Sequence, residues 1–213
     1  MASEPLGGEF LKPIALAFRH RLAQYGATPQ GVLWNDAGGQ QLRFELLAAV
    51  MGEDIHRQGA SINDLGCGYG ALFDFLKGFP ALKGGRYFGY DICADMVAAA
   101  RRRNSDPRAA FFLASRATGR ADYSFVSGTF NMKLAAGPEA WNRFVKQNLA
   151  DLWEKTAKGL AFNMLDISGD KLDHWLYFAD SGDFLNYCAR SLSPKVTLLD
   201  SDPLNEWTLL VKR

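Results

Sequence analysis

The sequence is poor in the residues that build metal centres and covalent frameworks: it has three histidines and three cysteines in 213 residues. His20, His56 and His174 stand far apart, and Cys67, Cys93 and Cys188 share no metal-ligand spacing, so neither a metal site nor a disulfide frame is expected. An odd set of thiols fits a reducing, cytoplasmic setting in which each packs as a small apolar side chain. Net charge is also lacking. A formal +1 gives no long-range pull on phosphate backbones or anionic lipid, so neither nucleic acid nor membrane is an expected partner. No apolar run approaches the roughly 20 residues of a membrane-spanning helix, and the opening MASEPLGGEF lacks the basic-then-apolar order of a secretory signal. Internal repeats, low-complexity tracts and linkers are missing too. One domain over residues 1–213 is therefore expected, with 48% hydrophobic residues to fill its core.

What is present is an alternation of helical and extended patterns. Phe10, Ile14, Phe18, Leu22 and Tyr25 recur at helical spacing, GATPQGVLW interrupts them, and Leu42, Leu46, Leu47 and Val50 resume the period. Residues 1–58 thus read as a helical cap, and residues 59–213 as the core. In the core, SINDL, RYFGYD, AAFFLA, DYSFVS and LAFNML are strand candidates separated by helices. The clearest helix covers about residues 139–156, with Trp141, Phe144, Val145, Leu149, Leu152, Trp153 and Thr156 on one face and Pro138 at its start. Such alternation predicts an α/β fold with a doubly wound, mostly parallel sheet. KVTLLDSD and EWTLLVKR, joined by a turn with Pro203 and Asn205, predict an antiparallel hairpin that ends the sheet in a reversed strand.

The stretch SINDLGCGYGALFDFL, residues 61–76, places three glycines in five positions between the first strand and its helix. Ligands bind at that junction in open α/β sheets. Gly66, Gly68 and Gly70 would let backbone approach a ligand while the free N–H groups of the helix point at it. The second strand ends in Asp91, 21 residues beyond Gly70, where a carboxylate can accept from both hydroxyls of a ribose. GCGYGA also satisfies the dinucleotide fingerprint, so a nicotinamide cofactor competes here. Asp64 argues against it, because an acid at the strand end repels a pyrophosphate and suits the ammonium and sulfonium charges of S-adenosylmethionine.

Through DLGCGYG at 64–70, GYDICADMVAAAR at 89–101 and the terminal hairpin, residues 61–213 resemble the class I S-adenosylmethionine-dependent methyltransferases, with their Rossmann-like fold. The resemblance implies that the loop Asp64, Leu65, Gly66, Cys67, Gly68 and Gly70 cradles the methionine part, that Asp91 holds the ribose, and that Ile92 and Met96 line the adenine pocket. Where the family carries an acid after its third strand, this sequence offers Ser115 and Arg116. The fourth strand leads into SGTFN, which the resemblance sets against cofactor and substrate, with Ser127 and Gly128 toward the cofactor and Asn131 toward the acceptor as the orienting catalytic group. No NPPY-like stretch follows that strand, so planar exocyclic amines of DNA, RNA or glutamine are not the implied acceptors, and a small molecule is.

Several candidates carry plainer readings. Asp91 also suits the start of a helix, and both roles are compatible. Asp122 opens its strand, away from the carboxyl edge where such sheets do chemistry, and is read as structural. The Arg101–Arg103 run falls in the last turn of a helix, where cations favour the dipole. In WNDAGGQQLR, Trp34 and Arg43 either close over the cofactor, with Arg43 pairing its carboxylate, or form only a turn and a helix face. The acceptor pocket is expected from the N-terminal helices and the connection 166–182. Besides methyl transfer to an oxygen or nitrogen, a nicotinamide oxidoreductase and a noncatalytic binding subunit on the same fold remain open, and the sequence leaves the oligomeric state undetermined.

Overall fold

The computed structural model describes residues 8–168, 173–200 and 204–213. The chain begins with α1 (Gly8–Tyr25), a 3-10 turn at Pro29–Val32, α2 (Ala37–Ala48) and a second 3-10 stretch at Ala49–His56, so the first quarter is helical as its spacing predicts. Then follow β1 (Ser61–Leu65), α3 (Ala71–Leu76), β2 (Arg86–Asp91), α4 (Ala94–Arg103), β3 (Ala109–Leu113) and β4 (Ala121–Ser127). The last part comprises α5 (Pro138–Glu154), β5 (Thr156–Asp166), the short β6 (Phe178–Ala179), α6 (Ser181–Ser191), β7 (Lys195–Asp200) and β8 (Glu206–Lys212). Pro138 opens α5, where its missing N–H is no loss. Thr156, expected on that helix, instead starts β5, its buried hydroxyl donating to Leu152 O at 2.7 Å.

The strands pair in the order β3-β2-β1-β4-β5-β8-β7, with β6 beside β5. All pairings are parallel except those of β8, which runs against both β5 and β7. The reversed strand therefore lies inside the sheet, and β7 forms the edge. Burial gives the reason: Glu206, Trp207, Thr208, Leu209, Leu210 and Val211 are all buried, which only an interior strand can satisfy, whereas Leu198 of β7 is exposed. Asn205 supplies the left-handed turn residue at φ +50. Pro203 lies outside the described residues.

Helices cover both faces. On one face α5 and α6 bury Trp141, Val145, Leu149 and Phe184 against Phe162 and Trp207. On the other, α2 and α3 bury Leu47, Leu72 and Phe73 against Ile62 and Phe125. Truncating any of these fully buried rings to alanine costs about 3–5 kcal/mol. Asp122 accepts from Ser61 N and Oγ at 2.8 and 2.7 Å and ties the starts of β1 and β4 together. Arg101 donates to Phe111 O at 2.6 Å and Arg103 pairs with Asp74, so two of the three consecutive arginines fasten α4 to its neighbours. Strand order reverses between β1 and β4, and the crevice of such a sheet opens at that point, on its carboxyl edge. There α1 lies across the edge, with Ile14 buried and Phe10 edge-on to Trp141 and Phe144 at 5.7 and 5.9 Å.

No helix among the described residues is long and apolar enough to cross a membrane. No cluster of metal-binding side chains occurs among them either.

Candidate active site

A single cavity collects the ends of β1, β2 and β4 under α1 and α2, and Asp64, Leu65, Gly66, Cys67, Gly68, Asp91, Ile92, Met96, Ser115, Ser127, Gly128 and Trp34 all line it. Two glycines permit its walls. At Gly66, with φ +80, a Cβ would stand 2.1 Å from Thr129 Oγ1, which itself donates to Leu65 O at 2.7 Å. At Gly128, with φ +63, a Cβ would stand 2.3 Å from the Trp34 ring. Both backbones thus touch side chains at a distance that only glycine allows. Gly70 caps α3 and packs on Asn104 and Phe111, so it shapes the loop without facing the cavity.

Two carboxylates sit at the glycine loop. Asp91 accepts from Gly68 N at 2.9 Å through one oxygen and from Cys93 N at 2.8 Å through the other, so it joins the loop to the start of α4. Burial pushes its pKa up against the pull of those amides. Asp64 is 1% exposed. Its Oδ2 accepts from the Tyr87 hydroxyl and its Oδ1 has no partner. Burial raises its pKa to about 7, the Tyr87 hydrogen bond working against the rise and nearby Asp91 adding to it. Ser127 Oγ is likewise buried without a partner.

Besides Gly70, three expected contacts are not at the cavity. Arg43 directs its guanidinium to Glu206, Nε to Oε2 at 2.9 Å and Nη2 to Oε1 at 2.8 Å, and covers the Trp34 ring with Cζ 3.9 Å from its centroid. A fork engaged by one carboxylate has none left for a cofactor's, which corrects the expected pairing. Arg116 pairs with Asp151 at 2.8 Å beside a separate cavity. Asn131 is folded under Gly128: its N–H donates to Gly128 O at 3.1 Å and its Oδ1 accepts from Leu165 N at 3.3 Å. It is 6% exposed and does not line the cavity, so it fixes the loop after β4 and is not placed to orient an acceptor.

The far wall differs from expectation as well. Leu11, Ile14 and Phe18 of α1 face Trp141, Phe144 and Asn148 of α5, and no described residue of the connection 166–182 takes part. That connection is instead tied down by Tyr177 N donating to Asn131 O and by a bridge between Met132 and Leu176. The residues of α5 were hidden in an apolar face that reads as plain core. The available signal was Asn148, a polar residue on the same face as Val145, Leu149 and Leu152.

A parallel sheet with a glycine loop, a paired acid on the next strand and a roofed cavity at the switch point defines a Rossmann-like enzyme with an adenosine-type cofactor. No protein-family sequence model matches the chain. A Mycobacterium tuberculosis protein named "Putative methyltransferase Rv1506c" is 39% identical over 158 residues, 72% of this chain and 93% of that one. The fold is similar to magnesium protoporphyrin IX methyltransferase of Synechocystis PCC 6803 with bound S-adenosylhomocysteine, at TM-score 0.64 and 15% identity over 96% of this chain and 95% of that one. It is similar also to an S-adenosylmethionine-dependent methyltransferase of Leishmania major, at TM-score 0.66 and 14% identity over 98% and 87%. The chain belongs to the class I S-adenosylmethionine-dependent methyltransferase family. S-adenosylmethionine is its cofactor, and the nicotinamide alternative is not favoured. The residues present fit that group, since an unpartnered carboxylate oxygen and an unpartnered hydroxyl, both buried, suit a cationic ligand rich in N–H and O–H donors.

Proposed function

We propose that this methyltransferase acts on an oxygen or nitrogen atom of a small-molecule acceptor held in the cavity beneath α1. The observation that carries the reading is the pair of buried, unpartnered oxygens, Asp64 Oδ1 and Ser127 Oγ, in a cavity whose other walls are glycine backbone, apolar rings and the side chains of Gln40, Asp91, Ser115, Thr129 and Asn148. Such atoms cost about 1–3 kcal/mol each when left unpaired. Asp64 takes the cofactor's ammonium, and the glycine backbone of the loop from Leu65 to Gly68 lets the methionine part approach closely. Asp91 accepts from the ribose hydroxyls. Ile92 and Met96 hold the adenine ring, with Ser115 at its polar edge, while Ser127, Gly128 and Trp34 close the end nearest the reacting carbon. When bound, S-adenosylmethionine supplies a methyl group made electrophilic by a positive sulfur. The protein contributes alignment and exclusion of water, which α1 and α5 provide by roofing the cavity.

The position of the cavity beneath α1 and α2 supports a small acceptor. Two acids and no lysine or arginine line it among the described residues, the opposite of a phosphate-binding track. A metabolite extract fractionated by size and incubated with the protein and S-adenosylmethionine tests the reading. Release of S-adenosylhomocysteine with the small-molecule fraction is expected. Release only with nucleic acid or protein fractions contradicts it.

A further inference from the structure

We infer that the acceptor is an uncharged molecule with a flat apolar ring system, methylated on a phenol-like oxygen or an aromatic nitrogen. The inference rests on the methyl-transfer reading above and deepens it.

The two ends of the cavity differ in chemistry. The charged side chains Asp64 and Asp91 belong to the cofactor end. At the other end Leu11 and Ile14 of α1 face Phe130, Trp141 and Phe144. These rings hold one another in place, with Trp141 and Phe144 tilted at 33° and 5.0 Å apart and Phe130 edge-on to Phe144 at 6.2 Å. Trp141 Nε1 donates to Phe130 O at 2.9 Å, so its ring presents only an apolar face. Flat apolar ligands match such a wall by offset or edge packing.

Charge narrows the class further. No lysine, arginine or histidine lines the cavity among the described residues. A carboxylate or phosphate on the acceptor would enter without a counter-ion and approach two acids, at a large desolvation cost. The one polar side chain on the α5 wall is Asn148, whose Nδ2 donates to Phe144 O at 2.8 Å; its Oδ1 is the end suited to accept from a hydroxyl or ring N–H.

Proton chemistry points the same way. Tyr69 donates its hydroxyl to Gln40, Asp91 already accepts two backbone amides, and Asp64 serves the cofactor, so no lining side chain acts as a general base. The acceptor atom's lone pair forms the new bond to the methyl carbon, the carbon–sulfur bond breaks with its electrons passing to sulfur, and the acceptor's proton leaves to water. A phenol-like hydroxyl is acidic enough to release its proton to water as the bond forms and an aromatic nitrogen offers a lone pair with no proton on it, whereas an aliphatic alcohol is too weak an acid to react without a protein base.

The test uses the full chain saturated with S-adenosylhomocysteine, whose own binding is measured first by calorimetry. Naphthol and naphthoate, alike in shape and different in charge, are then titrated at neutral pH. Naphthol is expected to bind at least tenfold more tightly than naphthoate, and Leu11→Lys, which sets a cation at the half-exposed rim of the wall, to reverse the preference. If S-adenosylhomocysteine binds but naphthol does not, or naphthoate binds as well as naphthol to the unaltered protein, the acceptor class is overturned while the cofactor site stands. If S-adenosylhomocysteine itself does not bind, the site reading fails and this inference falls with it.

Discussion

Arg43 and Glu206, 163 residues apart in the chain, form a two-pronged ion pair that is 8% and 2% exposed and joins the cap helix α2 to the reversed strand β8. Glu206 also accepts from Asn163 Nδ2 at 2.6 Å, Asn163 Oδ1 accepts from Gly128 N at 2.9 Å, and Arg43 covers Trp34, which in turn lies on Gly128. The pair thus closes a ring of contacts that runs from the cap through the middle of the sheet to the cavity wall.

Breaking that pair on one side strands a buried charge. Glu206→Ala should lower the unfolding free energy by about 3–5 kcal/mol, while the double replacement of Arg43 and Glu206 by methionine should restore most of the loss. Urea denaturation of the three proteins checks this. A cost below about 1 kcal/mol for Glu206→Ala, as for an exposed pair, would show that the contact is not the one described.

Gly128→Ala puts a Cβ into the Trp34 ring and holds alanine at a positive φ. The expected result is a loss of at least roughly tenfold in S-adenosylhomocysteine affinity, about 1.4 kcal/mol, with a shift in tryptophan emission as Trp34 moves. Unchanged affinity and emission would mean that Trp34 does not close the cofactor end.

Asp64 gives the protein a pH signature. Because burial raises its folded pKa to about 7, the folded chain keeps a proton that the unfolded chain has already released above the ordinary carboxylate value. Its contribution to stability is therefore full below that value and is lost as pH rises through about 7. Cofactor binding has the opposite trend, since the ammonium needs the carboxylate form. The melting temperature of the unliganded protein should fall relative to that of Asp64→Asn from about pH 5 to pH 8, and S-adenosylmethionine affinity should rise over that interval only in the unaltered chain. Parallel pH profiles for the two proteins would remove Asp64 from the ammonium site.

Local signals in the sequence were enough for much of this architecture. Residues 61–65 and 86–91 read as strands because each is a short β-rich run between helical patterns, and they match β1 and β2. Asp64 and Asp91 could be found because each stands at a fixed step from the glycine loop. Long-range geometry could not be read in the same way. Spacing leaves Arg43 open between a ligand contact and a plain helix face, because nothing nearby in sequence reveals Glu206. Asn131 looked catalytic because it follows β4, yet the chain turns at Gly128 and buries it against Leu165. Phe144 and Trp141 serve core and cavity together, and helical spacing reports only the first role. The place of β8 inside the sheet depends on its burial on both faces, which only its neighbours decide.

Titration calorimetry of the purified chain with S-adenosylhomocysteine, beside Asp91→Ala, tests the central claim that the cofactor lies at Asp91 and the glycine loop. One molecule should bind per chain, and removing the carboxylate should weaken binding by about 1.5–3 kcal/mol, the usual worth of a charged hydrogen bond. Binding that survives Asp91→Ala undiminished, or no binding to the unaltered chain, would contradict the account.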